Sequence, residues 1–415
     1  MAAVDRDELL RRYAGVAVRV GVNLEPGQEL HIAGALEHAP LIREIARQAY
    51  EAGARYVDVD YSDAHVRRAM IEHAPDDVLT WTAPYDLRKL EHLREVKGAT
   101  IRITGDPEPE LFADLDPARV GRARPLEAAE LRRDAVGERA ISWCIIAQPT
   151  GGWAEAVFGE PDVDRLWTEV ARATRLLEDD PVGTWWSHVA RLGSRAQALN
   201  QHRFDAIRFR GPGTDLLVGL LEGATWMSAD FTTAWGRPHV PNLPTEEVFT
   251  SPDYRRTEGV VTTTRPLHLP NEAVTVHDLR VRFSDGKAVE VEASSGADVI
   301  RAQMSLDDQA AFLGEVALVD QASAVGKTKT TFLDTLFDEN ATSHIAYGAG
   351  FAFTVPGAEQ MSADERTAAG LNSSRVHTDI MIGGPEVDVL GVGTAGEEVP
   401  IIIGDVWQLD DGAAG

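Results

Sequence analysis

The chain of 415 residues carries 40 basic against 66 acidic side chains, a formal net charge of −26 and a pI near 4.8, which excludes electrostatic binding to nucleic acid or to an anionic membrane surface. A hydrophobic content of 44% with 26% charged residues excludes a disordered chain, and no apolar run reaches the ~18 residues of a membrane span. The one cysteine, Cys144, sits in the apolar run "ISWCIIA", so no internal disulfide forms and a reducing, cytoplasmic setting is expected.

Taken in chain order, the start "MAAVDRDELLRRYAG" is charged and helix-like, unlike a signal peptide. Residues 6–22 have helical spacing, "GQELHIAGA" (27–35) reads as a strand, and "APLIREIARQAYEAGA" (39–54) is an amphipathic helix. "RYVDVDYSD" (55–63), "GATIRITGD" (98–106) and "ERAISWCIIAQPT" (138–150) read as further strands, with helix between the first two. This alternation predicts an α/β layer domain. "EDDPVG" (178–183) breaks two helices, and the second, 184–201, carries a core stripe of Trp185, Trp186, Val189, Leu192 and Leu199. Beyond it the pattern turns strand-rich, through 205–220, 259–267, 273–294 and 387–392, which predicts an α+β domain. A chain of this length calls for two cores. The change of pattern puts their boundary near residue 190, giving domains 1–190 and 191–415.

Four polar clusters lie in the second half. In "NSSRVHTDIMIGG" (372–384) a strand would carry Val376, Thr378, Ile380 and Ile382 on one face and His377, Asp379 and Met381 on the other. In "NLPTEEVFTSPD" (242–253) the adjacent Glu246 and Glu247 face opposite ways on extended chain, so one of them can join a site. In "AAFLGEVALVD" (310–320) Glu315 stands among apolar residues, where a buried carboxylate needs a cation, donors or a proton. In "TLFDENATSHIAYGAGFAFTV" (335–355) the spacing of His344, Tyr347 and Phe351 reads as one face of a helix, with Glu339 on its lead-in. Singly, each is explained by ordinary structure: a solvated pair, an Arg partner, a hydrogen-bonded edge. Together they offer four carboxylates and two imidazoles with no thiolate, a donor set for two borderline-hard divalent ions.

At these motifs the chain resembles the thermophilic metallo-aminopeptidases, the family of aminopeptidases T and S. The likeness runs nearly end to end, through "GVNLEPGQEL", "YEAGARYVDVDYSD", "RFRGPGTDL", "PNLPTEEVFTSPD", "LGEVALV", "LFDENATSHIAYG" and "VHTDIMIGG". The resemblance implies an N-terminal α/β domain and a C-terminal α+β domain bearing a binuclear metal site. It also implies a homodimer whose active sites face an enclosed cavity. The implied reaction removes N-terminal residues from short peptides with two divalent ions such as Zn, Co or Mg. Carried over by position, the ligands are Glu247, Glu315, Glu339, His344, His377 and Asp379, with Glu315 as the bridge.

One position departs from the family: seven residues after the ligand histidine it usually has Tyr, and this chain has Phe351. Tyr347, on the expected helix face, would be the substitute phenol, and Glu246 is a candidate general base. Two alternatives remain at this stage. His344, His377 and Asp379 form a two-histidine, one-carboxylate set that suits mononuclear iron and oxygen chemistry, on the fold of ring-opening dihydroxypyridine dioxygenases. The loss of the phenol would also suit a homologue that binds metal without catalysis.

Overall fold

The computed structural model describes residues 5–269, 272 and 274–410, apart from the side chains of 117 and 118. The chain falls into two compact units. One is built from the first 187 residues with 230–244, the other from 188–229, 245–269 and the chain from 274 onward. The division falls inside the helix Pro181–His202. No helix among the described residues is long and apolar enough to cross a membrane.

The first unit holds β1 (Glu29–Ala35), β2 (Tyr56–Ser62), β3 (Ala99–Thr104) and β4 (Ser142–Ala147), all parallel, in the order β2-β1-β3-β4. Leu30, Ile32, Ile101, Ile103, Cys144 and Ile146 are buried in it, as apolar runs in a parallel sheet require. The helix Ala39–Glu51 buries Leu41, Ile42, Ile45 and Ala49 along one face, the stripe its spacing predicts.

The chain continues with β5 (Ala206–Gly211), β6 (Thr214–Leu220) and the two-residue strands β7 (Phe231–Thr232) and β8 (Pro238–His239). Next come β9 (Val248–Thr250), β10 (Pro252–Thr262), β11 (Leu267–Leu269), β12 (Val274–Val276), β13 (Arg280–Ser284) and β14 (Lys287–Glu292). The last six are β15 (Leu313–Leu318), β16 (His344–Gly348), β17 (His377–Met381), β18 (Asp388–Val392), β19 (Glu398–Ile403) and β20 (Val406–Trp407). Two larger sheets of the second unit follow from them, one of eight strands (β14-β13-β10-β6-β5-β18-β19-β20) and one of four (β17-β16-β15-β9). The four-stranded sheet is antiparallel throughout, and every residue of β15 and β16 is buried.

The helix expected over His344, Tyr347 and Phe351 is replaced by a strand and a loop. Residues 344–348 pair with β15 on one side and β17 on the other, and Phe351 follows the strand. The local spacing was compatible with a helix, but strand pairing on both edges decides the conformation.

Candidate metal centre

The four-stranded sheet assembles the polar side chains by register. Residues directly opposite on antiparallel strands share a face. Glu315 pairs with Ala346 and Ala346 with Asp379, so the two carboxylates flank a side chain that is only a methyl. His344 and His377 belong to the same face: His344 is two residues before Ala346, and His377 stands opposite Gly348. Glu247 immediately precedes β9, two residues before Phe249, which pairs with Ala317 beside Glu315.

A bulge brings Glu315 to this face. Leu313 pairs with Tyr347 while Glu315 pairs with the neighbouring Ala346, so the register shifts across Gly314. Without the shift Leu313 and Glu315 would point the same way; with it the carboxylate is turned to the face opposite Leu313. The kink leaves room for glycine alone, because a Cβ on Gly314 would lie 2.2 Å from the Ala349 oxygen.

Two overlapping triples result, Glu247–Glu315–His344 and Glu315–His377–Asp379, each with its ligand atoms within 4.8 Å of one another. Glu315 belongs to both. Glu339 joins neither triple; it sits on a short turn before His344, shares a side-chain hydrogen bond with Asp379, and with Asp379, His268 and Met381 lines a small cavity. Glu247, Glu315, His344 and Asp379 are buried, whereas the His377 side chain stays 29% exposed.

Each histidine is oriented through its other ring nitrogen. His377 Nδ1 lies 2.8 Å from the Ala349 carbonyl oxygen and His344 Nδ1 lies 3.2 Å from that of Thr342. Donation from Nδ1 to these carbonyls leaves Nε2 for a cation. His344 Nε2 is 2.9 Å from Glu247 Oε2, and His377 Nε2 is 3.2 Å from Glu315 Oε2 and 3.5 Å from Asp379 Oδ1.

The electrostatics are those of a cluster short of positive charge. Burial, reinforced by Asp379 and Glu247, pushes the Glu315 carboxyl up to about 7. Burial and the same neighbours hold Glu339 well above the ordinary range. Burial works against a charged His344, yet the carboxylates of Glu247, Asp379 and Glu315 outweigh it and raise the imidazole to about 10. His377 is raised well above its ordinary value by Asp379 and Glu315 against the same burial. Burial likewise opposes ionised Asp379, but the two imidazoles hold it below its usual range. Protons on the histidines thus stand in for cations. They satisfy the cluster only in part, since buried Glu247 Oε2 meets the His344 imidazole at 2.9 Å off hydrogen-bond alignment and has no aligned donor. An orphaned buried carboxylate oxygen among oxygen and imidazole donors fits a divalent cation.

Two of the expected catalytic side chains lie apart from the cluster. Glu246 faces away from Glu247: its Oε1 accepts from the Ala324 N–H at 2.9 Å, and its Oε2 lies 3.3 Å from His188 Nε2. With its side chain 1% exposed, it is engaged with Ala324 and His188. Tyr347 lies on the opposite face of the sheet, where its hydroxyl donates to Gln303 Oε1 at 2.5 Å. Three residues apart on a strand, unlike on a helix, means opposite sides. Phe351 is the aromatic that reaches the cluster, its ring 5.1 Å from that of His377 and packed against Phe249 and Phe353. Phe249 was legible in principle, since it follows Glu247 by two on extended chain. The carbonyls of Thr342 and Ala349 leave no trace in side-chain chemistry.

A third grouping, His31–Asp58–Asp60, lies on the first unit's sheet. Its charges are already met: Lys89 Nζ is 2.9 Å from Asp58 and 2.7 Å from Asp60, and His31 Nε2 is 2.8 Å from Asp60.

Comparison with known proteins gives the family. Aminopeptidase T of Thermus aquaticus is 40% identical over 97% of this chain and 99% of its own length, and Aminopeptidase PepS of Streptococcus thermophilus is 35% identical over 97% and 98%. The structure of wild-type AmpT from Thermus thermophilus superposes with a TM-score of 0.89 at 37% identity, covering 98% of this chain and all of that one. A 2,5-dihydroxypyridine dioxygenase from Pseudomonas putida KT2440 shares the fold at a TM-score of 0.55 and 11% identity. The family model for thermophilic metalloproteases (M29) matches residues 6–407. The chain belongs to the thermophilic metalloprotease family M29.

Proposed function

We propose that this protein is a metal-dependent aminopeptidase that removes N-terminal residues from short peptides. Two divalent cations, Zn, Co or Mg, would be held by Glu247, Glu315, Glu339, His344, His377 and Asp379 in the C-terminal catalytic domain, 191–415. The observation that carries the reading is that Glu315 is common to both triples, as a carboxylate shared between two ions must be. Such a pair of ions supplies Lewis-acid polarisation of the scissile carbonyl and a nucleophile at neutral pH.

The chain's own residues do the rest. Thr342 and Ala349 set the histidine tautomers through their carbonyls. The free α-amine of a peptide is a cation and meets a carboxylate-rich face, which favours chain ends over internal bonds. Phe249, Phe351 and Phe353 form an apolar wall beside His377 that excludes water from one side. A homodimer in the cytoplasm completes the reading, the first from the family resemblance and the second from the single buried thiol.

The oxygenase alternative rests on a likeness of fold alone and leaves Glu247, Glu315 and Glu339 without a task. A panel of aminoacyl arylamides with metal analysis of the same sample separates the readings. Hydrolysis with two ions per chain is expected. One iron with oxygen uptake and no hydrolysis would overturn it.

A further inference from the structure

The strand β17 carries two of the six candidate ligands and, among the described residues, forms an edge of its sheet, with β16 as its one paired neighbour. An edge strand is held by a single ladder, and a slip of one residue would turn both His377 and Asp379 to the other face. The structure contains a device against this on the face away from the cluster. Gln303, the last residue of the helix Ala297–Gln303, places its amide oxygen against the pair Tyr347 and Thr378. Tyr347 Oη donates to it at 2.5 Å and Thr378 Oγ1 at 3.0 Å. One carbonyl oxygen has two lone pairs and accepts both.

The two donors stand directly opposite each other on β16 and β17, so the oxygen ties the strands across their register. Thr378 lies between His377 and Asp379, and Tyr347 is three residues after His344. The far end of β17 is tied separately, by the Thr264 N–H donating to the Met381 carbonyl at 2.9 Å. Gln303 holds the end that bears the ligands.

We infer that Gln303 is a positioning residue for the metal centre: by clamping Tyr347 to Thr378 from behind the sheet, it sets His344 on one strand against His377 and Asp379 on the next. The inference rests on the metal-centre reading above, and Gln303 acts through Tyr347 and Thr378. Gln303→Leu removes the acceptor at similar volume. It is expected to weaken Zn2+ binding, measured on the folded metal-stripped protein against a chromophoric chelator, by roughly tenfold, within the range seen for groups that orient ligands. Gln303→Glu keeps an acceptor oxygen and is expected to restore affinity. Tyr347→Phe and Thr378→Val should each cost part of the affinity and add nothing in the Gln303→Leu background.

A lower melting temperature in Gln303→Leu with an unchanged Zn2+ affinity would make Gln303 merely structural and overturn the inference. Should Gln303→Leu fail to fold, the double variant Tyr347→Phe with Thr378→Val carries the test, and unchanged affinity there has the same consequence. If the wild-type protein takes up no Zn2+, the metal-centre reading is what falls. Amide exchange along β16 and β17 then still reads the clamp, and protection as strong in Gln303→Leu as in wild type would overturn it.

Discussion

Two strands of this molecule present residues of metal-ligand type at alternate positions, with opposite outcomes. On β2, Asp58 and Asp60 lie beside His31, and on β17, His377 and Asp379 lie beside Glu315. Residue types and spacing hardly distinguish them. On β2 the charges are half in water, with Asp60 50% exposed, and the Lys89 ammonium bridges both carboxylates. Around β17 the carboxylates of Asp379 and Glu315 are buried, no lysine or arginine pairs with either among the described residues, and Glu247 adds an oxygen met only by the His344 imidazole, off hydrogen-bond alignment. A candidate cation site is therefore marked less by the residue pattern than by unmet charge on buried carboxylates.

The sharpest break of this contrast is Glu315→Gln, which removes the carboxylate common to both triples while keeping its volume. Turnover should fall by roughly 10²–10³-fold or more, the loss expected when a group that organises transition-state charge is removed. The fold should persist, and metal analysis should find fewer ions than in the wild-type protein. Wild-type kcat with the metals restored would remove Glu315 from its bridging role.

The two strands are compared directly by His377→Ala and His31→Ala. The first should lower zinc affinity by at least about 100-fold, since it deletes a ligand where changes to orienting groups alone cost 10–100-fold. The second should leave metal content unchanged. Equal metal content in both variants would show that exposure and Lys89 do not separate the two groups.

Phe351→Tyr tests the one departure within the buried cluster. With the Phe351 ring 5.1 Å from His377, a phenol there stands on the side of the sheet where the ligands are. A gain of about 10-fold in kcat is expected if its hydroxyl stabilises developing charge. An unchanged kcat would reduce the departure to a matter of packing. Tyr347→Phe, on the opposite face, should act on metal affinity rather than on kcat of the saturated enzyme.

The smallest effect is expected from Lys89→Ala. Its ion pairs with Asp58 and Asp60 are partly exposed, so stability should change by less than about 1 kcal/mol in a thermal melt. Removing the ammonium should also let the His31 group take up a divalent cation weakly, measured by titration calorimetry. A cation bound there by the wild-type protein would contradict the assignment of Lys89 as its occupant.

Much of this was legible in the residues. The strand at His377–Met381 follows from period-two alternation, and the parallel sheet of the first unit from its apolar runs set between helices. The opposition of Glu246 and Glu247 follows from adjacency, although which of them would join the cluster came from the family motif rather than from the pair itself. What failed was the segment after His344. An i, i+3, i+7 pattern there looked helical, and only the flanking strands β15 and β17 make it extended. That single change moved Tyr347 from beside the ligands to behind them.

The sequence by itself determined the available donor chemistry: carboxylates and imidazoles as candidate ligands, with no thiolate among them, an acidic chain, and the order of motifs that marks the family. Tertiary structure alone decided which face each donor takes. The bulge at Gly314 turns Glu315 to the ligand face, the carbonyls of Ala349 and Thr342 orient the histidines, and Gln303 ties one strand to the next. The physical reason is that facing in a sheet depends on register, and register is set by partners far away in the chain, which local spacing does not encode.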